Sequence, residues 1–294
     1  MAPFPSPTST WRTGVYPSIS PTRPELSAKG KTVVITGGGT GIGAETARYF
    51  AEAGASLIAL LGRREQPLQD TKAAIEGEFP NVKVVVSSTD ITNKVEVENA
   101  FAKVVGDKKI DVLVSNAAMI GPQEAVGEAD DTKLLDAVSQ NLSGSLYIAQ
   151  AFLHHAAADA VAIDVSSSAA HMNFLPRFAA YSVSKMAVFR LWDSVAFAHP
   201  ELSVYHVQPG VVDTAMNRES AASIKGLEHL IQKDDVSLPA GFHVWLASPE
   251  ARFLKGRFLW ANWDVDELMA QAKDLGASEK LTIGLNGWPF PNSS

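Results

Sequence analysis

Six short, strongly apolar runs, each separated from the next by a longer amphipathic stretch, constrain this 294-residue chain more than any other feature. They read TVVIT (32–36), SLIALL (56–61), VKVVVS (82–87), DVLVS (111–115), AVAIDVS (160–166) and LSVYHVQ (202–208). A strand this uniformly apolar belongs in a parallel sheet covered by helices on both faces. The intervening segments carry helical spacing. IGAETARYFAEAG offers Ile42, Phe50 and its alanines to one face, and further helices are expected through about Gly77, around 93–105, from Asp131 to about Ala157, through AAYSVSKMAVFRLWDSVAFA, and near 237–247. GRFLWA closes the pattern. Repeated strand–helix alternation predicts one α/β domain, a doubly wound parallel sheet, over about 30–265. Residues 1–29, rich in Pro, Ser and Thr, read as an extended arm, and 266–294 as a C-terminal extension. The irregular region 213–236, with Met216, Ile224, Leu227 and Leu230, follows a strand's carboxyl end, where a substrate lid is expected.

Bulk properties remove several function classes. The net charge is −7 with no long basic run, so neither nucleic acid nor an anionic membrane surface is expected as a partner. The chain has no cysteine, which excludes disulfides, thiolate nucleophiles and Cys-based zinc sites. No metal site is expected either: the adjacent His154 and His155 point apart on a helix, with no carboxylate at ligand spacing. The N-terminal stretch lacks a secretory h-region, and the most apolar window, SLYIAQAFLHHAAADAVAIDV, is interrupted by His154, His155 and Asp159. We expect a cytoplasmic protein with a small-molecule partner.

TGGGTGIG (36–43) follows the first strand directly and opens the first helix. Gly37, Gly41 and Gly43 sit where a tight turn, a close backbone approach and helix–strand packing each disfavour a β-carbon. With Thr40 and Ile42 they frame a helix N-terminus whose free N–H groups suit a pyrophosphate. A dinucleotide site of the NAD type adds an acid about 20 residues on, at the end of the second strand. Here that strand ends in Gly62, Arg63 and Arg64. An acid there repels a 2′-phosphate, whereas arginine accepts one through charge-assisted bonds, so the expected cofactor is NADP(H) rather than NAD(H).

YSVSK places Tyr181 and Lys185 four residues apart, on one face of a helix one turn apart. A cation that close favours the ionised phenolate. The spacing thus prepares a phenol for proton transfer.

These motifs, together with STD (88–90), SNAA (115–118), Asn141, Ser168 and QPGVVDT (208–214), occur in order and at approximate spacing such that the chain resembles the short-chain dehydrogenase/reductase family over about 30–265. YPSISPTRPELSAKGK and WANWDVDEL look like members from filamentous fungi, and fungal secondary metabolism is the setting this suggests. The resemblance implies a Rossmann-like fold and an NADP(H)-dependent oxidoreductase that interconverts a ketone or aldehyde and an alcohol. Tyr181 would be the general acid/base, and Lys185 would hold the nicotinamide ribose. Ser168, thirteen residues before Tyr181, would polarise the carbonyl, with Ser167 as the alternative in a run of three serines, and Asn141 would anchor a water in the proton relay. Asp90 would contact the adenine region and Asn116 the adenosine side. Pro209, Gly210 and Val212 would shape the loop under the nicotinamide, and Thr214 would bond its carboxamide. The family's usual Asn-Asn-Ala-Gly is here SNAA, with Ser115 and Ala118 replacing asparagine and glycine, and His171 stands where glycine is frequent. The resemblance also implies a homodimer or homotetramer.

Near the carbonyl site, Met119, Ile120, Met172, Phe174, Leu175, Phe178 and Met216 are candidate walls for a mainly apolar substrate, with His171 and Arg177 as polar orienters. Trp260 and Trp263 are expected in C-terminal packing or a subunit contact. Two other readings remain at this level: a redox-neutral enzyme (cyclase, dehydratase or epimerase) in the same pocket, and a non-catalytic dinucleotide-binding sensor or scaffold.

Overall fold

The computed structural model of the chain describes residues 3–106, 108–173, 175–219 and 233–285. The six apolar runs form β1 (Thr32–Thr36), β2 (Leu57–Gly62), β3 (Lys83–Ser88), β4 (Ile110–Ser115), β5 (Ala156–Val165) and β6 (Ser203–Gln208). The short β7 (Phe258–Trp260) completes a seven-stranded, all-parallel sheet in the order β3-β2-β1-β4-β5-β6-β7. The chain reverses its direction of travel across the sheet between β1 and β4, so a crevice opens at their carboxyl ends, the usual ligand position in such sheets.

Helices cover both faces. Ile35, Ile58, Ile163 and Val207 meet Phe50 of α1 (Gly41–Glu52), Ile75 of α2 (Glu65–Glu78) and α7 (Ser237–Leu246), which is buried from Leu238 onward. Val34, Leu113, Ala162 and Val204 meet α3 (Lys94–Val105), α4 (Asp131–His155) and α5 (Ala179–Ala198), where Trp192 is fully buried and donates to Ser145 Oγ at 2.9 Å. The two sets alternate along each central strand, as expected when both faces are buried. Short helices α6 (Ala215–Glu219), α8 (Val265–Ala270) and α9 (Ala272–Gly276) complete the order.

One boundary refines the sequence reading. Strand β5 starts at Ala156, four residues before its apolar run, directly after α4. Its first residues are partly or fully exposed at the sheet margin, and the β4 register shifts there between Ile110 and Val112. Of the proposed lid, Ile224, Leu227 and Leu230 lie outside the described residues, as does Phe174.

The arm wraps the domain. Its short turns Pro17–Ile19 and Pro24–Leu26 bury Ile19 and Leu26 in the same core as α7. Phe4 and Trp11 close around Trp260, which stacks on Trp263. The Glu267 carboxylate accepts the Ser9 N–H at 2.6 Å and the Thr10 N–H at 2.9 Å, and Arg12 Nε donates to Asp264 at 2.8 Å.

Candidate active site

The carboxyl ends of β1 to β6 deliver residues to one groove of about 650 Å³. After β1 come Gly37, Thr40, Gly41 and Ile42; after β2, Gly62, Arg63 and Arg64; after β3, Thr89 and Asp90; after β4, Asn116 to Met119. Strand β5 ends in Val165 and is followed by Ser166, β6 leads to Pro209, and Thr214 and Met216 form the far lip. Tyr181 and Lys185 enter from α5 and Asn141 from α4. Of the residues expected there, Gly43, Gly210, Val212 and Ser168 do not line the groove.

Gly43 works from behind it. A β-carbon there would lie 2.3 Å from the Gly37 carbonyl oxygen, so helix α1 reaches β1 only without one. Gly37 and Gly41 have φ of +69° and +56°, and a β-carbon on Gly41 would press on Thr214 Cγ2 at 3.1 Å. Thr40, the N-cap of α1, lines the groove with Gly41 and Ile42 and makes no side-chain cap bond, which leaves the first N–H groups of α1 without a side-chain acceptor from the cap. The Thr36 hydroxyl accepts the N–H groups of both Asn116 and Ala117 at 2.9 Å, and Asn116 Nδ2 donates to the Thr36 carbonyl at 3.0 Å. These bonds lock the SNAA segment against the glycine turn. The cradle fits a dinucleotide: its turn admits no side chain, and its helix N-terminus suits a diphosphate.

Arg63 and Arg64 are exposed on the rim beside Asp90. The Thr92 N–H holds the Asp90 carboxyl below its ordinary range, with the Thr92 hydroxyl and the Arg63 charge adding to the effect. Gly210, with φ of +90°, packs against Asp234, whose Oδ2 accepts the Val211 N–H at 2.7 Å. Burial raises the Asp234 carboxyl. This bond and the bridge between Val212 and Asp234 fix the loop after β6 from outside the groove.

At the opposite end, Lys185 is 6% exposed and donates from Nζ to the Val165 carbonyl at 2.8 Å, with Nζ 5.7 Å from the Tyr181 ring centroid. Phe178 meets the Tyr181 ring edge-on at 5.9 Å. Asn141 accepts the Met119 N–H at 3.0 Å and donates to the Met119 and Ala137 carbonyls, so its side chain holds the loop after β4. Ser168 opens a 3-10 turn and gives its N–H to Gln208 Oε1 at 2.8 Å, while Ser167 caps that turn. Ser166 is the member of the serine run that borders the groove, and its buried Oγ has no hydrogen-bond partner among the described residues.

The candidate walls divide. Met119 and Met216 line the groove. Ile120 is buried and does not line it, and Met172 packs onto the main core. His171 turns away: its Nε2 accepts from Trp260 Nε1 at 3.2 Å and its ring meets Phe258 edge-on. Arg177 is exposed and donates to the Gln123 carbonyl.

Sheet order, glycine cradle and groove define a Rossmann-type dinucleotide-binding protein. The family model for short chain dehydrogenase matches residues 31–225. The chain is 34% identical to a short chain dehydrogenase/reductase of Claviceps purpurea over 96% of its own length and 95% of that protein's. It is 32% identical to the short chain dehydrogenase/reductase nsrO of Aspergillus novofumigatus, over 96% and 97% of the two chains. A solved short-chain dehydrogenase/reductase from Serratia marcescens superposes with a TM-score of 0.72 at 25% identity, covering 79% of this chain and 96% of that one. The chain belongs to the short-chain dehydrogenase/reductase family, oxidoreductases that act on small molecules with a nicotinamide dinucleotide.

Proposed function

We propose that the protein is an NADP(H)-dependent oxidoreductase that reduces a ketone or aldehyde on a mainly apolar small molecule to an alcohol. The observation that carries this reading is the meeting of Tyr181, Lys185 and Asn141 at one end of the glycine-walled groove whose other end bears Arg63 and Arg64. When bound, the nicotinamide supplies or accepts the hydride. Tyr181 gives its phenolic proton to the carbonyl oxygen in reduction and takes one from the alcohol in oxidation. Lys185, with one of its three donors on the Val165 carbonyl, keeps two for the ribose and the proton path. Asn141 holds the Met119 loop that walls the site. Ser168 is assigned the polarising hydroxyl on its spacing from Tyr181, and Ser166 borders the nicotinamide end.

Arg63 and Arg64 support the phosphorylated cofactor, because they replace the acid that a 2′-phosphate would meet. Asp90, Asn116, Pro209 and Thr214 would flank the same molecule, with Gly210 and Val212 setting the loop. The methionines of the lip suit an apolar substrate. The relatives' fungal origins favour a role in fungal secondary metabolism, in the cytoplasm. Among the described residues no helix is long and apolar enough to cross a membrane.

Fluorescence titration with NADPH and NADH tests the cofactor, and reduction of phenanthrenequinone tests the chemistry. Arg63→Ala is expected to weaken NADPH by about tenfold or more, the loss of one charge-assisted contact, and to leave NADH nearly unchanged. Tyr181→Phe is expected to retain NADPH and lose at least about a hundredfold in turnover. Equal affinity for both cofactors sinks the NADP(H) assignment, and an active Tyr181→Phe sinks the role of Tyr181.

A further inference from the structure

Behind Lys185 lies a second, small cavity of about 10 Å³, roughly the room one water molecule needs. Ser115, Asn141, Ser145, Asp164 and Lys185 supply its polar lining. Lys185 and Asn141 also line the groove, so they form the partition between the two spaces. Asp164 is 1% exposed in the middle of the sheet, and His206, its register partner on β6, is fully buried. His206 Nδ1 lies 3.1 Å from Asp164 Oδ2. A carboxylate needs a donor, so Nδ1 carries the imidazole proton, and Nε2, which has no partner among the described residues, keeps only its lone pair beside the Phe189 ring. A proton on Nε2 would bury an N–H with no acceptor. The pair therefore presents a negative charge to the cavity through Asp164.

Burying a carboxylate in the sheet is costly unless something compensates it. The cation available is Lys185, and the cavity separates the two by the room for one molecule. Such a water would have a full set of partners. It can accept from Lys185 Nζ and donate to Asp164, with the hydroxyls of Ser115 and Ser145 beside it, and Ser145 already accepts from Trp192 Nε1. Ser115 and Ala118, the two positions that depart from the family's usual Asn-Asn-Ala-Gly, both line this space.

We propose that Asp164, held by His206, acts through one water in this cavity as a positioning residue for Lys185, and so sets the pH at which Tyr181 exchanges its proton. The inference rests on the reading of Tyr181 and Lys185 as the proton-transfer pair. The titratable groups lining this space are Lys185 from α5 and Asp164 from β5; His206 from β6 is bonded to Asp164, and Tyr181 stands on the groove side, one helical turn before Lys185. α4 and β4 contribute only the uncharged Asn141, Ser145 and Ser115. Removing the Asp164 charge leaves a more positive surrounding, which eases ionisation of Tyr181. The rate limb in either direction then moves to lower pH: reduction fails earlier on the alkaline side, and oxidation begins earlier on the acid side.

The test is a pH titration of the tyrosinate ultraviolet band, with Tyr181→Phe subtracted to isolate the one phenol, in the wild type and in Asp164→Asn. Asparagine keeps an acceptor for His206 and removes the charge. The expected result is a midpoint lower by about one pH unit, about tenfold in the ionisation constant, with the thermal midpoint little changed. An unmoved midpoint in a folded Asp164→Asn overturns the proposal. Should that variant not fold, a high-resolution crystal structure of the wild type decides: a water bonded to both Asp164 and Lys185 supports it, and a dry cavity overturns it. Phenanthrenequinone reduction by Tyr181→Phe reads the catalytic assignment separately, since a fully active variant there defeats the reading of Tyr181 without touching the titration.

Discussion

Single atoms decide the geometry of the cofactor cradle. The Gly43 Cα stands where any β-carbon would lie 2.3 Å from the Gly37 oxygen, in the turn between β1 and α1, and 2.8 Å from Asn116 Nδ2, in the segment after β4. The first neighbour is backbone and the second is a side-chain amide tied to the Thr36 carbonyl, so Gly43→Ala must push α1 off the sheet. The expected cost is about 1–3 kcal/mol in denaturant unfolding, the range for overpacking a core. NADPH titration should show weaker binding than in the wild type, because the shifted helix carries its N-terminus with it. The serine run shows the same sensitivity in another form. Three consecutive hydroxyls are chemically equal in a sequence, and only the end of β5 at Val165 decides that Ser166 meets the groove while Ser168 turns into the 3-10 turn under Gln208.

At the scale of elements, the arm and α8 form a titratable clasp. The N–H groups of Ser9 and Thr10 pull the Glu267 carboxyl from the ordinary 4.5 down to about 2. A folded value below the unfolded one adds stability that is full above about pH 4.5 and is lost as pH falls toward 2. Acidification through that window should therefore loosen the arm, read as a change in Trp11 fluorescence or as earlier proteolysis ahead of Pro17. Glu267→Gln should loosen the arm at neutral pH and flatten the transition. The strands of the central sheet were legible because burial on both faces leaves an unbroken apolar run, and the glycine turn because few other residues satisfy its backbone. The opening of β5 was not, since Ala156 to Asp159 sit at the margin, where nothing selects β-branched side chains. Nor was the direction of His171. Its proximity to Ser168 suggested a substrate contact, but its hydrogen-bond partner is Trp260, 89 residues away in sequence. The Asp164–His206 pair needed the β5–β6 register before the two could be placed side by side.

At the scale of the whole molecule, helices α4 and α5 pack on each other yet leave Leu135, Val183, Met186 and Phe197 exposed on their outer sides. Phe197 is 91% exposed, an unusual position for a large apolar ring. We expect these helices to meet a second copy, giving a dimer or tetramer. In size-exclusion chromatography with light scattering, Phe197→Asp should move the protein toward the monomer while preserving its circular dichroism. A wild type that is itself monomeric would refute this expectation. The wrapped arm has a temporal consequence as well. Ser9 and Glu267 are 258 residues apart, so during synthesis the arm emerges with no surface to dock on. At roughly 5–20 residues per second it waits on the order of tens of seconds before α8 leaves the ribosome. Until then the floor beneath Trp260 and Trp263 does not exist, and the apolar side chains of Ile19 and Leu26 lack their seat against α7. Chaperone engagement should therefore concentrate on this early segment, and its release should coincide with the last turns of the chain.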